Sequence, residues 1–260
     1  MKLSIITINK DNSQGLLRTI KSVSEQTFLD FEFIIIDGAS TDGSVEIIKQ
    51  HANTVISYYI SEPDSGIYNA MNKGIKKARG NYLLFLNSGD YLINKDVLSI
   101  VFTQIGNTNS DFIFCDSKVI NRNTHFVKKN PRKLNFLFFY YDSVCHQSTF
   151  IKKSLFDEIE QYDESLKIMS DWKFVIVSLC KYNKSYTVIN EVVSAFNMEG
   201  ISGSKNSRQL MKEEREKVLK ENFSLFYDDY VKLHSYYKWS LQGILQRLKY
   251  KYKNITNCCI

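Results

Sequence analysis

Along residues 1–95, short apolar runs alternate with amphipathic stretches. Leu3 to Ile8 reads as a first strand, followed by the turn and cap cluster Asn9-Lys10-Asp11-Asn12-Ser13. Leu16, Leu17, Ile20 and Val23 then recur at helical spacing. Phe31 to Ile36 is a second strand that ends at Asp37-Gly38-Ala39-Ser40-Thr41-Asp42-Gly43, and Val45, Ile47 and Ile48 open the next helix. Val55 to Ile60 is a third strand, closed by Glu62-Pro63-Asp64-Ser65-Gly66. The helix after it carries Ile67, Ala70, Met71, Gly74, Ile75 and Ala78 on one face. Ala70, Gly74 and Ala78 form a small-residue ridge for close packing on a sheet, while Asn69, Asn72, Lys73, Lys76 and Lys77 lie off it, where some can face a ligand. Gly80 closes this helix. Tyr82 to Leu86 is a fourth strand, ending in Asn87-Ser88-Gly89-Asp90.

Four strands alternating with helices predict right-handed β-α-β units and a parallel sheet. In such sheets ligands bind beyond the carboxyl ends of the strands. Here those ends carry Asn9 and Asp11, Asp37, Asp64, and Asn87 with Asp90. Any one acid is commonly a cap; acids at four strand ends on one edge suit a metal-bound phosphate, with Gly89 letting a bulky group approach the backbone.

The pattern after residue 95 is less regular. Asp96 to Phe102 reads as a helix and Phe112 to Cys115 as a strand. An aromatic run, Asn135 to Tyr140, precedes Cys145-His146-Gln147-Ser148-Thr149-Phe150-Ile151. A helix starts near Ser170, Tyr186 to Ala195 is a strand, and 198–203 is a loop.

Composition changes this picture little, except at the end of the chain. With 43% apolar and 24% charged residues among 260, a sizeable folded core is expected. No apolar run approaches the ~20 residues that span a bilayer, and the first strand is too short for a signal-peptide core, so a cytoplasmic location is the expectation. The five cysteines show no zinc spacing and are read as reduced thiols without a role. The net charge of +6 is lopsided: residues 205–260 hold 12 of the 34 basic and 6 of the 28 acidic side chains, and with them all of the excess.

The ordered pieces resemble family 2 glycosyltransferases with the GT-A fold. They are Ser4-Ile5-Ile6-Thr7, Phe33 to Ser44, Glu62 to Gly74, and Leu86-Asn87-Ser88-Gly89-Asp90, followed by His146-Gln147-Ser148-Thr149-Phe150, Ser170-Asp171-Trp172 and Gly200-Ile201-Ser202. The resemblance covers roughly residues 2–205. It implies a mixed, mainly parallel α/β sheet flanked by helices, with a catalytic domain over 1–205 (a nucleotide-sugar half, 1–95, and an acceptor half, 96–205) and a helical tail over 206–260. It further implies that Thr7 and neighbouring backbone, with Asp37, hold the nucleotide base, most often uracil, that Asn9 lies on the donor-nucleotide side, and that Asp64 and Lys73 flank the nucleotide and its ribose. Asn87-Ser88-Gly89-Asp90 stands where the family has Asp-x-Asp, which meets ribose and a divalent metal, Mn²⁺ or Mg²⁺. Asp171 matches the general base of an inverting transfer, with His146 and Trp172 near the acceptor.

Two departures stand out. Asn87 and Gly89 replace acids, so a metal would rest on Asp90 alone with phosphate and water, and Ile8 replaces a common proline. Asp171 at a helix start is also a common cap, and Trp172 is equally a core residue. A glycosidase would have no use for a nucleotide cradle. A sugar nucleotidyltransferase should show a glycine-rich, arginine-containing loop in place of Asn9 to Gln14. A catalytically silent nucleotide-binding or membrane-docking scaffold stays open.

From Tyr237 on, Leu241, Ile244, Leu245, Leu248, Tyr252 and Ile255 fall at helical spacing among Lys238, Arg247, Lys249, Lys251 and Lys253. Such a helix suits either an anionic membrane surface or packing on the domain. No nucleic-acid reading motif accompanies the charge. With the resemblance, the expected acceptor is a lipid-diphosphate-linked saccharide in O-antigen or surface-polysaccharide assembly, met at the cytoplasmic face of the inner membrane.

Overall fold

A computed structural model describes residues 1–239 except 53, 107, 122–123 and 198–204. The first four strands, β1 (Leu3–Asn9), β2 (Phe31–Asp37), β3 (Tyr58–Ser61) and β4 (Tyr82–Phe85), lie side by side in the order β3-β2-β1-β4, all parallel. Their crossovers are α1 (Ser13–Ser24), α2 (Ser44–His51) and α3 (Ile67–Lys77). The sequence predicts this half closely; β3 starts three residues later than expected.

The sheet continues beyond β4 with reversed direction. After β5 (Tyr91–Leu92) and α4 (Val97–Ile105), the chain enters β6 (Phe112–Asn121) and the hairpin strand β7 (Thr124–Lys128). Next come α5 (Phe136–Tyr141), a short 3-10 turn (His146–Ser148), β8 (Thr149–Lys152) and α6 (Leu155–Glu158). The helix α7 (Ser170–Cys180) and strand β9 (Tyr186–Asn197) complete the domain. β8 pairs antiparallel with both β4 and β6, and β9 lies parallel to β6, giving one mixed sheet. β6 runs six residues further than its apolar stretch suggests, because β7 pairs with its polar end.

Each strand alternates between two cores. Ile6, Ile34, Ile36, Leu83 and Phe85 face α3 and α7. Ile5, Phe33, Ile35 and Leu84 face α1 and α4. The small-residue ridge of α3 behaves as expected: a Cβ on Gly74 would lie 2.5 Å from Ile6 Cγ2. Gly80 does not close α3, which ends at Lys77. It instead lets the chain cross β1, where a Cβ would sit 2.5 Å from the Leu3 carbonyl carbon.

Two further helices follow, α8 (Lys205–Asn222) and α9 (Ser224–Trp239). α8 contributes Val218 and Leu219, and the residue after it Phe223, to the core shared with α3 and α7. The expected loop at Gly200-Ile201-Ser202 and the basic stretch from 240 onward lie outside the described residues.

Candidate active site

The donor-side loops are held by side-chain hydrogen bonds that cross between strand ends. Thr7 is fully buried on β1, and its hydroxyl donates to the Leu86 carbonyl at 2.6 Å, clasping β1 to β4. Asp37 is equally buried and accepts from Asn9 Nδ2 (2.7 Å), the Ser40 hydroxyl (2.6 Å) and amide (2.9 Å), and the Ser61 hydroxyl (2.6 Å). Burial opposes its charge, but the Ser40 and Ser61 hydroxyls, the Ser40 amide and Asn9 together hold Asp37 below the usual carboxylate range. Thr7 and Asp37 therefore brace the strand ends, with their own polar atoms already engaged.

Asp64 leans over the backbone of Gly38, where a Cβ would come within 2.5 Å of its carboxylate. Lys73 bonds the Pro63 carbonyl (3.0 Å) and Glu62 (2.8 Å), pinning the loop that presents Asp64. The segment Asn87-Ser88-Gly89-Asp90 is tied to α1 through residues the sequence reading passes over. Thr19 donates to the Asp90 carbonyl (2.7 Å) and accepts from the Gly89 amide (3.0 Å), while Asn12 Nδ2 donates to the Ser88 carbonyl (3.1 Å). Gly89 is required for a reason other than close approach. Its φ is +101°, and a Cβ there would meet nothing nearer than 3.4 Å.

Across from this loop, His146 and Asp171 are joined. His146 Nδ1 donates to Asp171 Oδ2 at 3.1 Å, and His146 Nε2 faces Asn87 Nδ2 at 3.3 Å. The other Asp171 oxygen, Oδ1, takes the Tyr68 hydroxyl at 2.9 Å. One hydrogen-bonded line thus runs from α3 through α7 and the 3-10 turn to the end of β4. The residue at the N-terminal cap of α7 is Met169, so Asp171 is not that cap. Trp172 does not reach the cleft: it is buried, its Nε1 donates to the Phe139 carbonyl at 3.1 Å, and Arg215 covers its ring. This corrects its expected place beside an acceptor.

The segment that presents Asp171 is fastened from α8. Glu214, 6% exposed, accepts the backbone N–H groups of Lys167 (2.7 Å), Ile168 (3.0 Å) and Met169 (3.0 Å). In the sequence Glu214 sits in a charged helical stretch and looks like part of a solvated face.

Charges at the site are set by these contacts. Burial works against the Asp171 charge, yet the hydrogen bond and field of His146, with Tyr68, keep it below the usual range. Burial likewise opposes charge on His146, but Asp171 and then Asp90 lift it above an ordinary imidazole. Asp90 goes the other way: desolvation pushes it up to about 7 against the field of His146 and a hydrogen bond from Gln147. Among the described residues, three buried side-chain polar atoms lack a hydrogen-bond partner in the protein: Asn9 Oδ1, Asn87 Oδ1 and Ser170 Oγ. They belong to the ends of β1 and β4 and the start of α7, so unmet hydrogen-bonding capacity collects at this edge.

The family model described as "Glycosyl transferase family 2" matches residues 4–159. The chain belongs to glycosyl transferase family 2. A relative, the "PGL/p-HBAD biosynthesis glycosyltransferase" of Mycobacterium bovis, is 32% identical over 213 residues, covering 80% of this chain and 82% of its own length. The "Cholesterol galactosyltransferase" of Borreliella burgdorferi is 31% identical over 113 residues, 43% of this chain and 31% of its own. The fold matches that of S. aureus TarS in complex with UDP-GlcNAc (TM-score 0.67, 20% identity, 88% of this chain and 73% of that one). It also matches the mannosyltransferase PcManGT from Pyrobaculum calidifontis in complex with GDP-Man and Mn²⁺ (TM-score 0.61, 13% identity, 86% and 63%). The GT-A architecture expected from the sequence is the one observed, and the protein is a glycosyltransferase. The nucleotidyltransferase and silent-scaffold readings give way to this.

A glycosyltransferase of this fold implies a divalent metal, and the donor set can be tested against one. Among the described residues no three His, Cys, Asp or Glu side chains cluster to hold an ion. Asp90 alone offers a carboxylate, and burial has raised it so far that a nearby dication would return it to its ionised form. A hard ion that keeps water and phosphate oxygens needs few protein ligands. These residues fit a metal that arrives on a diphosphate.

Proposed function

We propose that this family 2 glycosyltransferase transfers a hexose, with inversion, from a nucleotide-diphosphate sugar, UDP as the nucleotide, to a lipid-diphosphate-linked saccharide in O-antigen or surface-polysaccharide assembly. The observation that carries the reading is the line Tyr68–Asp171–His146–Asn87. It sets an ionised carboxylate opposite a loop whose single acid, Asp90, suits a metal-bound diphosphate. Asn9, Asp64 and the backbone around Thr7, Asp37 and Ser40 form the nucleotide cradle, with Lys73 holding the Asp64 loop. Asn87, Ser88, Gly89 and Asp90 meet the ribose and diphosphate. Asp90, with phosphate oxygens and water, would hold the metal, Mn²⁺ or Mg²⁺, which when bound would supply neutralisation of charge on the departing diphosphate.

Asp171 takes the acceptor's hydroxyl proton as the acceptor oxygen bonds the anomeric carbon, and the nucleotide diphosphate leaves with the electron pair of the broken C–O bond. His146 donates to Asp171 and fixes its orientation. The UDP-GlcNAc complex of the TarS fold supports the donor class. The cholesterol in the name of the Borreliella relative supports a lipid-borne acceptor. α9 adds to this: Leu225, Phe226 and Leu233 are more than half exposed, ahead of a stretch, 240–260, with basic and no acidic side chains.

A panel of nucleotide sugars offered with a lipid-diphosphate monosaccharide, with and without Mn²⁺, tests the reading. Products are identified by mass and anomeric coupling. Metal-stimulated transfer with inversion is expected; a retained anomeric configuration would sink the direct-displacement mechanism.

A further inference from the structure

Tyr68 lies on the first turn of α3, between residues that the resemblance assigns to the donor, and its hydroxyl touches the proposed general base. Its ring is buried, 4% exposed, and tilts against Tyr162 at 5.6 Å. Its hydroxyl is more informative than its ring. The oxygen lies 2.9 Å from Asp171 Oδ1 and 2.6 Å from the Ile168 carbonyl oxygen. Both neighbours are acceptors, and a phenol has one proton to give.

That mismatch has a consequence. While Asp171 is ionised, a charge-assisted hydrogen bond to the carboxylate is the stronger of the two choices, by roughly twofold over a neutral one. The Ile168 carbonyl, at 2.6 Å, then keeps only the minor share of the phenol proton. Once Asp171 carries a proton it is neutral, the advantage disappears, and the nearer carbonyl becomes the better acceptor. The Ile168 carbonyl cannot drift away, because the N–H groups of Lys167, Ile168 and Met169 are all fastened to Glu214.

We propose that Tyr68 is a positioning residue for the general base, a hydroxyl rotor that points at Asp171 before proton transfer and at the Ile168 carbonyl after it. The inference rests on the function proposed above for its catalytic meaning and on the two distances alone for its physical content. In the step it serves, the acceptor O–H bond breaks and the proton moves to a free lone pair on Asp171. The phenol proton rotates about the Cζ–O bond and stays on Tyr68, so no charge leaves the pair.

The charged and titratable groups acting on Asp171 come from several elements. They are Tyr68 on α3, His146 on the 3-10 turn, Tyr162 in the loop before α7 and, through His146, Asp90 after β4. Tyr68 donates directly to Asp171 and can change that donation without changing its charge.

The test uses the full chain labelled with ¹³C at the aspartate carboxyl carbon. D171N identifies the Asp171 resonance by its disappearance, and its titration midpoint is then compared between wild type and Y68F. Phenylalanine keeps the ring against Tyr162 and removes only the hydroxyl. The midpoint should rise by about one pH unit in Y68F, because a hydrogen bond to the charged form is lost. The acid limb of the kcat profile should move by the same amount, while KM for the nucleotide sugar stays within about twofold.

A midpoint that does not move overturns the proposal. So does a Y68F variant whose melting temperature falls while its acid limb stays in place, which is what a purely structural role produces. Should Y68F not fold, replacing all tyrosines with 3-fluorotyrosine strengthens the phenol as a donor and must lower the Asp171 midpoint instead; a midpoint unchanged there is equally decisive against it. If D171N transfers sugar at a normal rate, the general-base reading fails, and the carboxylate titration still decides the Tyr68 contact by itself.

Discussion

Asp90 and Asp171 are both carboxylates folded against the same histidine, and their surroundings drive them in opposite directions. Asp171 receives two hydrogen bonds from side chains anchored elsewhere, Tyr68 and His146, and stays ionised below the usual carboxylate range in spite of burial. Asp90 has Gln147 and the field of His146 against its desolvation, and burial carries it up to about 7. One group is furnished by the protein with everything its charge requires; the other is left short of positive charge. A base must be ionised before the substrates meet, whereas a metal ligand can draw its compensation from the ion. On the proposed function, the difference separates a site completed by the protein from one completed by a ligand.

The sharpest way to break the comparison is Asp171→Asn. The amide keeps the shape of the carboxylate and cannot take a proton, so transfer should fall about 10²–10⁴-fold, the range general-base groups contribute. Nucleotide-sugar binding, measured by calorimetry, should change little. A variant that transfers at near-normal rate would remove Asp171 from the chemistry and leave His146 and Tyr68 without a catalytic partner.

A second probe sharpens the comparison by loosening only the acceptor edge. Glu214→Ala leaves three backbone N–H groups, one buried and two partly buried, without their acceptor, at a cost of about 3 kcal/mol. For a chain of this size that lowers Tm by roughly 6–12 °C. Because the Glu214 clamp holds Ile168 and Met169 just ahead of Asp171, transfer should suffer even at temperatures where the variant is folded. Nucleotide binding at the Asn87–Asp90 loop should survive. Equal damage to both edges would mean that Glu214 supports the whole fold and no particular edge.

How much of this the sequence displays depends on the range of the contacts. The donor half is built from β-α units whose strands, helices and polar strand ends are all local features, so its four strands and their polar ends can be read off directly. The line Tyr68–Asp171–His146–Asn87 joins four separate elements, and no spacing in the chain announces it. Asn87, read as a missing acid, is the partner of His146. Thr19 is an unremarked helical threonine until it is seen fastening Gly89 and Asp90. Glu214, within a run of charged helical residues, carries no mark of burial. Trp172 shows the opposite failure: its place beside Asp171 suggests the cleft, but helical geometry turns consecutive side chains about 100° apart, and the indole goes into the core.

The smallest effect tests the Asp90 side by stability, without any need for turnover. Asp90 has an ordinary value of 3.8 and a folded value of about 7. Between those two pH values the folded protein holds a proton that the unfolded chain has released. Stability contributed by this group is therefore lost as pH rises from about 4 to about 7, and is flat above. Asp90→Asn keeps a neutral side chain of the same shape and escapes that loss. Its melting temperature should match that of wild type near pH 4, exceed it by a growing margin up to pH 7, and hold that margin at pH 8.

Adding Mn²⁺ with UDP at pH 8 should then raise wild type more than Asp90→Asn, because only the carboxylate can use the ion's charge. Mn²⁺ without the nucleotide should do little, since a single carboxylate is a poor site until phosphate oxygens complete the shell. A variant whose margin over wild type is the same at every pH would show that Asp90 is ionised and satisfied within the protein. That result would erase the contrast with Asp171 from the donor side.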